Sequence, residues 1–178
     1  MCVWSGSPEW MDAYNSLGQQ EGVGAAWNLG KIGTCEVVTH LAERLNMAES
    51  DIYAHLMRVD LFDFFPFTHE FFMSKRLPQS IVTVNPPLFR QMAIALGLGE
   101  VSDSIVISGE EGTINKGVLC EIALRRMGVE CRNDQVLLID NKQSNLDAWS
   151  ARGGVGYLYT SDTAFQRDVA NGIDGLVC

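Results

Sequence analysis

The sequence predicts an α/β protein, a Rossmann-like parallel sheet in the second half preceded by an α-helical region. Three observations predict it. Apolar residues recur at helical spacing up to about Glu70, short apolar runs alternate with helical stretches from Ser80 onward, and polar residues follow the apolar runs. Alternating strands and helices are the mark of βαβ units, whose parallel sheet is covered by helices. The 178 residues suffice for one well-buried core with a small added subdomain. The change of periodicity places the boundary between 5–75, helical, and 76–178, the α/β core.

In the helical region, Ser7 is placed to cap a first helix with Pro8 at its first position. Thr34 is placed to cap a second, in which Val37, Val38, Leu41 and Leu45 share one face. A third runs from about Ser50 to Val59. The aromatic run from Leu61 to Phe67 has two readings, a pocket wall or a buried seam, since aromatic side chains bury the most area. In the α/β region, Ile81 to Val84 reads as a strand, Pro87 to Leu96 as a helix ended by Gly97, and Ser104 to Ile107 as a strand. A helix carrying Val118, Leu119, Ile122, Ala123 and Met127 ends at Gly128. Val136 to Ile139 is unbroken in its apolarity, as a strand buried on both faces should be. Leu146 to Arg152 is helical, Gly153 and Gly154 break it, and Val155 to Tyr159 is the last strand.

Composition narrows the function classes. A net charge of −9 opposes nucleic-acid binding, which needs a basic patch to neutralise phosphates. No apolar run reaches the roughly 18 residues of a membrane span. The opening residues Met1 to Gly6 have no basic stretch and no apolar core of a secretory signal, so a cytoplasmic protein is expected. Five cysteines, scattered and without a Cys-x-x-Cys pair, read as reduced thiols. His40, His55 and His69 lack metal-ligand spacing.

In an open parallel sheet, ligands bind beyond the carboxyl ends of the strands. Thr83 and Asn85 stand at the first such end, Ser108, Gly109, Glu110 and Glu111 at the second, and Asp140 and Asn141 at the third, with Lys116 opening the intervening helix. Hydroxyl, amide, ammonium and carboxylate on one edge suit a phosphate and a hard cation. An aspartate in Asp140's position can equally cap the helix that follows.

The run Asp140-Asn141-Lys142-Gln143-Ser144-Asn145-Leu146-Asp147-Ala148, followed by Gly153-Gly154 and a further strand, resembles the last motif of the haloacid-dehalogenase (HAD) superfamily of hydrolases. Lys116, after Gly112 and before an amphipathic helix, is similar to the family lysine, and Ile81 to Asn85 to the family strand that ends in a hydroxyl residue and Asn. The helical region resembles, in position and size, the family's helical cap. The resemblance implies that Asp140 and Asn141 bind Mg2+, that Lys116 holds the phosphoryl group and the nucleophile, that Thr83 and Asn85 contact substrate phosphate, and that Asn145 supports the site.

The sequence departs from the family in three places. Val84 stands where the hydroxyl residue should directly precede the Asn, and strand alternation turns Thr83 the other way unless a bulge restores it. Asn141 replaces the commoner Asp, which removes a charge beside the cation site. The family's first, central strand, which ends in Asp-x-Asp and carries the nucleophile and the general acid and base, is missing. The first acidic residues, Glu9 and Asp12, fall inside the first helix. That strand should lie between Ile81 to Val84 and Val136 to Ile139, and its loss should leave backbone groups facing a slot. A truncated gene model, an internal start or a fragment is therefore expected over a working pseudoenzyme.

Two function classes follow. One is a Mg2+-dependent phosphatase of small phosphorylated metabolites, acting through an aspartyl-phosphate intermediate with the aspartate upstream of Met1. A 2-haloacid dehalogenase is its lesser variant, disfavoured because dehalogenases of this superfamily need no metal and Asp140 is retained. The other is a binding or regulatory protein that keeps the pocket without the chemistry. A different Rossmann-like module fits less well, because no glycine-rich phosphate loop follows a strand.

Overall fold

A computed structural model describes residues 2–4, 8–19, 22–74 and 77–173. Ser7 and Cys178 lie outside the described residues. Strand β1 (Cys2–Trp4) opens the chain, and α1 (Pro8–Gln19) follows. Trp10, Ala13 and Leu17 recur at three- and four-residue spacing on α1 and are buried together. Helices α2 (Val23–Asn28), α3 (Thr34–Leu45) and α4 (Glu49–Leu56) complete this helical layer. Its core unites Trp27, Val37, Leu41 and Ile52 with Leu88 from the α/β part. Thr34 is the first residue of α3 and does not cap it. Gly33 takes that place, and its N–H donates to Glu36 Oε2 at 2.7 Å.

The opening tripeptide lies outside the parallel sheets. It pairs antiparallel with β2 (Phe62–Phe64), with Val3 opposite Asp63. Helix α5 (Pro66–Met73) then starts on a proline, which costs nothing where the N–H has no helical partner. The aromatic run divides between its two expected uses. Phe65 and Phe67 pack with Tyr159 and Phe165, while Phe62 and Phe64 face a cavity.

Strand β3 (Ser80–Thr83) leads through α6 (Phe89–Ala95) and α7 (Leu98–Val101) to β4 (Ser104–Ile107). The two strands pair in parallel, Ser80 opposite Ser104 and Thr83 opposite Ile107. A single turn, α8 (Ser108–Glu111), and the long α9 (Lys116–Met127) lead to β5 (Leu137–Asp140). Helix α10 (Gln143–Ser150) crosses to β6 (Val155–Leu158), parallel to β5 with Asp140 opposite Leu158, and α11 (Asp162–Asn171) closes the described chain. Both faces of β5 are covered, as its unbroken apolarity predicts. Leu138 packs on Cys120, Leu146 and Trp149, whereas Leu137 and Ile139 join Phe165 and Tyr159.

The parallel sheet is in two halves. Strand β3 pairs with β4 and β5 with β6, and among the described residues no strand joins β3 to β5. Helix α9 holds the halves side by side. It packs on β3, β4 and α10, and Val82 of β3 shares an apolar cluster with Cys120 and with Leu138 of β5.

Candidate active site

Lys116 is the first residue of α9, a helix whose start is set by the Asn115 side chain accepting from the Val118 N–H at 3.1 Å. At 6% exposure its ammonium must find partners within the protein. It donates to the Val82 carbonyl on β3 at 2.6 Å and lies 3.2 Å from Asp140 Oδ2 at the end of β5. One cation thus touches the carboxyl-terminal ends of both half-sheets.

Asp140 is buried, and its other oxygen is held from behind. Oδ1 accepts from the Lys142 N–H at 2.9 Å and from Asn145 Nδ2 at 3.0 Å. The aspartate therefore ties the turn after β5 and does not cap α10, whose first residue comes three positions later. Asn145 orients Asp140 from the first turn of α10. Asn141 is exposed beside it and lines the same cavity.

Across the gap, Asn85 Nδ2 donates to Thr83 Oγ1 at 2.6 Å, and both residues line the cavity that Lys116 and Asp140 reach. The Thr83 hydroxyl is thus on the cavity side although Val84 separates it from Asn85. The Asn85 carbonyl is fixed by the Gly109 N–H at 3.1 Å. Ser108, fully buried, has its Oγ 2.7 Å from the Asn28 carbonyl and 3.0 Å from that of Asn85, which ties the helical layer to the end of β3. The approach at this seam is close enough that a Cβ on Gly109 would overlap Pro87, and one on Gly30 the Gly109 carbonyl.

The second strand end is used differently. Glu110 pairs with Arg90 and Glu111 with Arg126, each at 2.5 Å, and neither lines the cavity. The cavity measures ≈ 840 Å³ and extends from the polar end at Lys116 between β3 and β5 to Gln79 and Gln135. Its walls are largely apolar, with Phe62, Phe64, Phe71 and Phe89 among them. Asp140 is the carboxylate among its described lining residues. Cys120 also lines it, and burial pushes that thiol up to about 12, so it stays protonated and unreactive near neutral pH. Ser108 stands at a strand end as the sequence predicts, but its tie to Asn28 has no local signal, and Cys120, on an apolar helical face, is not marked by the sequence as a cavity residue.

The donor set meets part of what Mg2+ requires. Magnesium takes oxygen ligands, commonly one or two carboxylates together with substrate phosphate and water. Asp140 and Asn141 offer one carboxylate and one amide oxygen to the cavity lining. No group of three or more His, Cys, Asp or Glu side chains that could hold a metal occurs among the described residues.

The fold is HAD-like α/β by its likeness to solved structures. It superposes on a HAD family enzyme from Bacteroides thetaiotaomicron with a TM-score of 0.70 and 9% identity, over 90% of this chain and 89% of that one. The same enzyme as a magnesium complex gives 0.69 at 9% identity, over 90% and 88%. An aspartate-to-alanine variant of it in complex with magnesium and inorganic phosphate gives 0.68 at 10% identity, over 90% and 89%. No protein-family model matches the sequence, and no curated protein matches it significantly.

Proposed function

We propose that this chain is the greater part of a HAD-like hydrolase that cleaves small phosphorylated metabolites, with its helical layer serving as the cap over the site. The observation that carries the reading is the buried ammonium of Lys116 held between Val82 and Asp140, with Thr83, Asn85 and Asn141 lining the same cavity. A lysine, a hydroxyl and an amide suit phosphoryl oxygens, and electrostatic stabilisation of that kind dominates phosphoryl transfer. The fold neighbour's complex with magnesium and inorganic phosphate supports the same chemistry. Asp140 and Asn141 would hold Mg2+, which when bound would neutralise phosphoryl charge.

The hydrolytic route passes through an aspartyl phosphate. A carboxylate oxygen attacks phosphorus, the bond to the leaving oxygen breaks, that oxygen takes a proton, and water then cleaves the acyl phosphate. Asp140 is committed to Lys116, Lys142 and Asn145, so it orients and does not attack. Cys120 is protonated. On this reading the nucleophilic aspartate would come from a segment outside the described residues, and these residues would supply the phosphate-holding part. Among the described residues no helix is long and apolar enough to cross a membrane. A cytoplasmic location, a small phosphorylated partner and no nucleic acid complete the proposal.

A second reading, a binding or regulatory protein, is favoured by Asp140 being the sole carboxylate among the described residues that line the cavity. One experiment separates them. The 178-residue chain and a version extended with its native upstream coding sequence are assayed for Mg2+-dependent hydrolysis of p-nitrophenyl phosphate. Activity in the extended version that is lost in Lys116→Ala and Asp140→Ala supports the hydrolase. Activity that survives both substitutions overturns the site, and inactivity of both versions together with saturable phosphate binding favours the binding protein.

A further inference from the structure

We propose that Phe64 and His69 form a leaving-group subsite in the cavity, a stacking surface for the planar ring of an aromatic alcohol carried by the phosphate monoester. The inference rests on the phosphatase reading and adds to it the class of alcohol released. It starts from the part of the aromatic run that the core does not absorb. Side chains alternate along β2, so Phe62 and Phe64 line the cavity while Asp63 is exposed on the other face. Pairing with β1 fixes the strand, with Phe64 opposite Cys2. The Phe64 ring lies against the His69 imidazole, centroids 4.8 Å apart and planes 20° from parallel. One face of each ring is thus taken by the other. His69 is exposed and lines the cavity, and its imidazole makes no hydrogen bond or ion pair among the described residues.

Position is the second observation. His69 stands in the first turn of α5, and α11 fixes that turn. The N–H groups of Phe67 and Thr68 donate to Asp162 at 2.9 and 2.8 Å, and the Thr68 hydroxyl lies 2.7 Å from Asp162 Oδ1 and 3.1 Å from the Tyr159 hydroxyl. Tyr159, in turn, donates its N–H to the Asp140 carbonyl at 2.9 Å. A chain of short bonds therefore runs from the turn that bears His69 to the strand end that bears Asp140. Binding groups placed on a support of this kind hold a ligand in one orientation.

The chemistry of this end selects the ligand. Thr68, Tyr159 and Asp162 are committed to one another, and the surface they support is the imidazole backed by a phenyl ring. A polyhydroxylated leaving group would give up water there and find few partners, which costs free energy. A planar ring loses little on leaving water and gains a stacking contact with the imidazole.

The test uses the 178-residue chain with Mg2+ and two non-hydrolysable probes, phenylphosphonate and methylphosphonate, which share the phosphoryl end. By titration calorimetry, phenylphosphonate should bind about tenfold more tightly, and equal binding overturns the subsite. His69→Ala should weaken phenylphosphonate by about three- to tenfold and leave methylphosphonate within about twofold, whereas equal loss for both probes overturns the assignment. His69→Phe keeps a ring against Phe64 and should retain the preference. If it loses the preference, stacking is overturned. Should neither phosphonate bind, the phosphate reading fails, and phenol alone then decides the subsite. The chain has three histidines, so the imidazole C–H resonances of His69 can be assigned by substitution. Phenol should shift them and leave those of His40 in place, and unmoved His69 resonances overturn the subsite.

Discussion

Replacing Lys116 by methionine tests the centre of the site most directly. Methionine retains most of the apolar stem and removes the ammonium. Two interactions go with it, the donation to the Val82 carbonyl at 2.6 Å and the ion pair with Asp140 Oδ2 at 3.2 Å. A carbonyl left without its donor costs about 1–3 kcal/mol when buried. Breaking a buried ion pair from one side costs about 3–5 kcal/mol, because the remaining charge has no partner. Here that figure is an upper bound, since Asp140 keeps two donors on Oδ1, the Lys142 N–H and Asn145 Nδ2. The net loss should be about 2–4 kcal/mol, a fall in melting temperature of roughly 5–15 °C for a chain of this size. Asp140→Asn on the same background removes the orphaned charge, so the double variant should recover about 1 kcal/mol or more relative to the sum of the singles. Urea unfolding at pH 7, followed by circular dichroism, supplies the cycle. A Lys116→Met variant within about 0.5 kcal/mol of the parent, or strict additivity in the double variant, would refute the buried bridge.

Asp162 anchors α5 to α11. Its burial raises the carboxyl pKa, but bonds from the Thr68 hydroxyl, the Phe67 and Thr68 N–H groups and Tyr159 outweigh this and hold it below the ordinary value. A depressed folded pKa stabilises at pH above the unfolded value near 4 and is lost as pH falls through the folded one. Asp162→Asn should therefore cost about 1–2 kcal/mol from pH 7 down to about pH 5, with the gap closing below pH 4, and a gap independent of pH would contradict this. A methyl group at Gly154 would overlap the indole of Trp149, which is fully buried and donates to the Val136 carbonyl at 3.1 Å. Gly154→Ala should destabilise by about 1–3 kcal/mol in urea, and unchanged stability would mean that the turn before β6 shifts freely. With its thiol pushed up to about 12, Cys120 should resist iodoacetamide at pH 8 in the folded chain, while exposed Cys35 is modified. Mass spectrometry showing comparable modification of both would refute the burial of Cys120.

Local pattern made much of the α/β half legible. Ser104 to Ile107 is β4 to the residue, α9 ends at Gly128, and β5 sits one residue later than its apolar run suggests. The reason is that burial on one helical face, or on both faces of a strand, leaves its period in the chain. Helix α2, six residues long, is too short to show a period. Helix α11 lies beyond the last element that the sequence predicts, although Ser161 is a cap, accepting from the Ala164 N–H at 3.1 Å, and Phe165 and Val169 follow four apart.

By itself the sequence determined the kinds of residue at the strand ends, because a parallel sheet brings those ends to one edge wherever its strands finish. Tertiary structure decided which of them share a cavity. Thr83, Asn85, Lys116, Asp140 and Asn141 do, whereas Glu110 and Glu111, equally polar and equally placed, turn to Arg90 and Arg126. It also decided that Cys2–Trp4 joins β2 and that β3 and β5 face one another without pairing. The physical reason is range. A helix cap or a strand's apolar period depends on residues a few positions apart, but an ion pair or a strand pairing joins residues that only packing brings together.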